Sequence, residues 1–140
     1  LIKIEGSKQL EQNLRKLSNK YGEKAAKGLV VAGNAVRADA IKSIQQQSAG
    51  KVVTRTTAAG NEYKHTVSKP GDAPNTDTGR LVQSVQVEVK DDSVYVGSQL
   101  EYAKHLELGT SNMDARPWLY PALLRSKELI KKILRGALNG

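Results

Sequence analysis

The chain has 140 residues, 39% of them hydrophobic and 26% charged, which suits one domain with a modest core. It contains no cysteine and no phenylalanine, so a disulfide framework, thiolate metal sites and a cysteine nucleophile are excluded and the core must be aliphatic. Lys plus Arg number 22 against 14 Asp plus Glu, a net charge of +8 that favours acidic partners, although the charges are spread without a block of like sign.

Ile2 and Ile4 alternate with Lys3 and Glu5, which predicts a short strand, and Gly6-Ser7 predicts a helix start with Ser7 as its N-cap. Leu10, Leu14, Leu17, Tyr21, Ala25, Leu29, Ala32, Val36, Ala40 and Ile44 then recur every three or four residues, one apolar stripe along a long helix that Gly22 is expected to bend or break. Gly28 and Gly33 let the second half of that helix approach another backbone closely. Its apolar run at residues 28–36 falls far short of the roughly 20 residues that cross a bilayer. The first residues lack the features of a secretion signal, so cytoplasmic synthesis is expected.

Residues 51–57 and 62–68 are β-branched and separated by Ala58-Ala59-Gly60-Asn61, which predicts a hairpin. Its faces are polar, so residues 51–68 are expected to project. Residues 69–77, with two prolines, a glycine and two aspartates, read as a flexible loop. Leu81, Val85, Val87 and Val89 alternate with polar residues and predict a strand, which returns through Asp91-Asp92 to residues 93–97 as a second hairpin. Residues 101–108 predict a short helix ending at Gly109, then a loop over residues 110–118. Pro121 suits the first turn of a last helix whose apolar face is Leu123, Ile130, Ile133, Leu134 and Ala137. The order predicts a single α+β domain over residues 1–140. A long N-terminal helix and a C-terminal helix would pack on an antiparallel sheet built from two β-hairpins.

Reactive groups do not converge. His65 and His105 lie far apart without a third ligand at metal spacing, and neither has a nucleophilic Ser motif to serve. Gly109-Thr110-Ser111 lacks the Lys of a phosphate loop. Glu101 and Glu107 project from different faces of their helix and read as surface carboxylates. No catalytic, metal or cofactor-binding residue is assigned. Arg125, Lys132 and Arg135 form a basic face that could meet DNA phosphates or an acidic partner, and a basic DNA-binding module is the alternative function. Trp118 and Tyr120, between two prolines, read as anchors of the last helix.

Two stretches carry a resemblance. The first runs through Pro70, Gly71, Pro74, Thr78, Gly79, Leu81 and Ser84. The second runs through Tyr102, Ala103, Glu107, Gly109, Thr110, Met113, Arg116, Pro117, Trp118, Pro121 and Ala122. Together with Ile4-Glu5-Gly6 ahead of the striped helix, they resemble the head-to-tail joining and tail-completion proteins of tailed bacteriophages, with Trp118 where that family suggests Phe. Within that pattern Gly79 turns the chain into the Leu81 strand, Gly109 ends the short helix, and Arg116 is positioned to pair with Glu107. The resemblance implies a non-enzymatic structural subunit of the virion neck or tail, made in the host bacterial cytoplasm and assembled as a hexameric ring around the DNA channel. Its partners would be head-connector and tail tube or terminator proteins. DNA would pass through without specific binding, and no cofactor or membrane would be involved.

Overall fold

The computed structural model describes the backbone of residues 2–4 and 8–139 and the side chains of residues 22–139. Strand β1 (Ile2–Ile4) precedes helix α1 (Lys8–Gln45), then β2 (Val52–Thr56), β3 (Glu62–Thr66), α2 (Arg80–Ser84), β4 (Gln86–Lys90), β5 (Ser93–Gly97), α3 (Glu101–Leu108) and α4 (Tyr120–Asn139). This is the expected α+β class. The expected cap at Ser7 and the side chains of Leu10, Leu14, Leu17 and Tyr21 lie outside the described residues.

Helix α1 passes through Gly22 without a break, so of the expected bend or break the break does not occur. One interior glycine costs about 1 kcal/mol, too little to end a helix whose later turns are held by a core face. On that face Leu29, Ala32, Val36, Ala40 and Ile44 are all buried, the period the sequence shows. Much of this face meets α4, whose Ala122, Ser126 and Ile130 are buried. The small residues set the spacing. A Cβ added at Gly33 would come within 2.6 Å of Val94 Cγ2 and 2.8 Å of Val87 Cγ1, and one at Gly28 within 2.8 Å of the Ala137 Cβ. The helix therefore lies directly on β4, β5 and α4.

The two hairpins occupy separate sheets. β4 and β5 pair antiparallel, Val87 opposite Val96 and Val89 opposite Val94, and β1 joins the free side of β5 to give the order β1-β5-β4. β2 and β3 form their own antiparallel pair, Val53 opposite His65. The expected strand beginning at Leu81 is corrected: residues 80–84 are a helical turn. Leu81 and Val85 both point into the core, a spacing of four that helix and strand share, and alternation with a period of two starts only at β4. Arg37 Nε donates to the Val85 carbonyl at 2.8 Å and ties this junction to α1. Among the described residues no helix is long and apolar enough to cross a membrane.

Candidate functional site

The two motif stretches, separated in sequence, meet in space. The Gly71 N–H donates to the Ala115 carbonyl at 2.9 Å, and Arg116 Nε donates to the Ser68 carbonyl at 3.2 Å. Between them lies a cavity of about 370 Å³, to which Pro74, Thr78, Gly79 and Leu81 contribute from one stretch and Tyr102, Met113 and Arg116 from the other. Ile44 at the end of α1 and Arg55 and His65 of the β2–β3 hairpin complete its walls.

Local chemistry explains how each wall is held. Asn75, nearly buried, accepts from the Ser48 N–H at 2.7 Å and donates to the carbonyls of Ser48 and Thr66, each at 2.8 Å. That amide joins the chain leaving α1, the end of β3 and the Pro-rich loop. Thr76 Oγ1 donates to the Ile44 carbonyl at 3.0 Å, filling a vacancy at the α1 C-terminus. Asp77 is the second junction. Its carboxylate accepts from Arg55 and from the Tyr63 hydroxyl at 3.0 Å, and His65 Nδ1 lies 3.8 Å away. Desolvation, and then the hydrogen bond to Asp77, hold the Tyr63 phenol above its ordinary value of 10.0.

Glu107 departs from both sequence expectations placed on it. It does not pair with Arg116, and it is not an idle surface carboxylate. Its oxygens accept from the N–H groups of Trp118 (2.8 Å), Leu119 (2.9 Å) and Tyr120 (2.9 Å), the two residues leading into α4 and the first residue of the helix. Free N–H groups and the positive end of the helix dipole attract a carboxylate more strongly than a guanidinium that already has carbonyl partners. Arg116 instead donates to the carbonyls of Ser68 and Asp114, and its own N–H donates to the Leu106 carbonyl at 2.6 Å.

The other motif residues divide between backbone geometry and packing. Gly79 (φ 79°) and Gly109 (φ 73°) are left-handed, and a Cβ on Gly109 would sit 2.9 Å from the Ala115 nitrogen. Ala103, Trp118 and Ala122 are buried, and Trp118 Nε1 donates to the Ala103 carbonyl at 3.2 Å. Ser84 Oγ donates to the Leu81 carbonyl and lies 2.7 Å from Ser98 Oγ. Pro117 and Pro121 border a second cleft beside Arg125. Pro70, Gly71, Thr78, Tyr102 and Thr110 are exposed. Tyr120, expected to help anchor α4, is also largely exposed, whereas Trp118 does anchor it.

Of the basic face, Lys132 and Arg135 are exposed. Arg125 is engaged with Asp39 at 2.8 Å and Ser43 at 2.5 Å, so it bridges α4 to α1. Among the described residues no three of His, Asp or Glu are grouped to hold a metal ion. Sequence reasoning missed Asn75 and placed Asp77 in the first motif stretch without a role of its own. Their signal was an amide and a carboxylate in a Pro-rich loop, residue types that hydrogen-bond backbone.

The cavity is walled by the end of α1, the β2–β3 hairpin, α2, α3 and the loops between them, and of its charged groups Arg55, Asp77 and Arg116 are held by one another or by backbone carbonyls. The family described as "Bacteriophage HK97-gp10, putative tail-component" matches residues 8–109, most of the chain, and the chain belongs to that family. It is a bacteriophage tail component and hence a structural protein of the virion. No curated protein and no solved structure matches. The matched span includes the whole first motif stretch and ends at Gly109, within the second.

Proposed function

We propose that the chain is a non-enzymatic structural subunit of the neck or tail-completion ring, joining the DNA-filled head to the tail as a homo-oligomer around the DNA channel. Family membership carries the reading, and the surface supports it. Leu108 is 68% exposed, Tyr120 55% and Leu124 53%, so apolar side chains on the outer faces of α3 and α4 stay in water until something covers them. A hexameric ring contacting a head connector on one side and the tail tube or terminator on the other would cover such faces. The β2–β3 hairpin and residues 69–77 are the segments we assign to contact with neighbours.

The alternative of a basic DNA-binding module rests on Lys132 and Arg135, exposed on α4. Arg125 is withdrawn from it by Asp39.

Gold-labelled antibody against the chain, viewed by electron microscopy, should decorate the head–tail junction, and particles made without the chain should accumulate as separate heads and tails. Label confined to other parts of the particle, or joined particles made without the chain, would overturn the assignment. A duplex DNA shift lost on neutralising Lys132 and Arg135 would favour the alternative.

A further inference from the structure

The turn between β4 and β5 is two residues long, Asp91-Asp92, with Lys90 and Ser93 paired across it. These are the sequence's only two adjacent acidic residues. Both are exposed, and among the described residues neither has a cationic partner. Asp91 takes φ 55°, a conformation that glycine or asparagine holds more readily. The isolated subunit thus carries two mutually repelling carboxylates on a rigid tip.

The cavity between the motif stretches has the opposite character. Three arginines line it, Arg55, Arg80 and Arg116, against Asp77 as its one carboxylate, and Asp77 is already engaged by Arg55 and Tyr63. Arg116 has only carbonyl partners, and Arg80, exposed on α2, has no anionic partner among the described residues. Ser68, 3% exposed, also borders the cavity, and its buried hydroxyl has no hydrogen-bond partner among the described residues. Uncompensated guanidinium groups beside an unpaired hydroxyl suit an arriving carboxylate.

The turn cannot fill the cavity of its own subunit. β4 starts two residues after α2, which lines the cavity, and its five residues put about 17 Å, at the strand rise of 3.3–3.4 Å, between α2 and the turn. We propose that the Asp91-Asp92 turn of one copy docks into the Arg55, Arg80 and Arg116 cavity of the next. Such a contact joins two different patches of the same chain, so it repeats head to tail and closes as a ring when the rotation per subunit allows. The occupant is a second copy of this chain because its most acidic tip and its most basic cavity lie at opposite ends of one strand. The inference deepens the ring assignment and rests on it.

The sequence has no cysteine, so introduced thiols are the only ones this sequence carries, and an antibody against the chain identifies its crosslinked products. In assembled particles, a chain carrying both Arg80→Cys and Asp92→Cys, treated with a short bifunctional thiol reagent, should give covalent multimers beyond the dimer. Either substitution alone should not. Arg80→Asp should lower the yield of joined particles at least tenfold, and Asp92→Lys in the same chain should restore part of it; both sites are exposed and neither has a positive φ, so folding is preserved. Particles that contain the chain yet give no multimers, or an Arg80→Asp chain that joins normally, would overturn the contact and leave the ring standing. If the chain is absent from particles, the functional reading fails instead. The same crosslink on the concentrated full chain then decides the contact, a ladder supporting it and monomers refuting it.

Discussion

Removing the Glu107 carboxylate would leave three successive backbone donors at the start of α4 without an acceptor. Capping losses and charge-assisted hydrogen bonds both put the expected cost of Glu107→Ala at about 2 kcal/mol, read as a lower urea midpoint with an unchanged slope. Glu107→Gln keeps one acceptor oxygen and should lose less. Tyr63 gives a second residue-scale prediction. Its raised value means that the neutral phenol is the form favoured by folding. The contribution is therefore intact below pH 10 and is lost as pH climbs through the higher folded value. Subtracting the absorbance titration of Tyr63→Phe should show Tyr63 ionising later than a free tyrosine, and Asp77→Asn should bring it back toward 10.0. Neither role was visible in the sequence. Glu107 caps donors 11 to 13 residues downstream, and no local spacing announces a contact made across a loop.

Elements were more legible than the contacts between them. The stripe from Leu29 to Ile44 and the face of α4 follow from periodicity because burial on one side of a helix selects apolar residues every three or four positions. Helix α2 was hidden because five residues span barely more than one turn, and Leu81 with Val85 fits either geometry. Two glycines on α1 should respond in opposite directions. Gly22 has nothing within 4 Å of an added Cβ, so Gly22→Ala should stabilise the chain by about 1 kcal/mol through helix propensity. At Gly33 the new methyl would collide with Val87 and Val94, and overpacking of this kind costs about 1–3 kcal/mol. Thermal melts of the two variants should bracket the parent chain. An exception to either sign would mean that α1 sits differently on the sheet.

At the scale of the molecule, a three-stranded sheet under α1 is accompanied by a separate two-stranded one held through Asn75 and Asp77. A lone two-stranded hairpin is marginal in water, so its order depends on those side chains. Asp77→Asn should raise amide hydrogen exchange across residues 52–66 while leaving the protection of α1 and α4 in place. Equal loss everywhere would show that the hairpin and the body unfold as one unit. The α+β class was legible because hydrophobic period changes from helix to strand along the chain. The division into two sheets was not, since both hairpins are locally complete and only tertiary contacts decide which edges meet.

Glu107 also has a mechanical meaning. It sits on α3 and grips the first turn of α4, so the two helices are pinned at one point. Tyr102 and Leu106 of α3 border the cavity, while Leu124 and Leu129 of α4 face outward. A push on the cavity rim that tilts α3 must drag the base of α4 with it, so pressure at one surface is delivered as displacement at another.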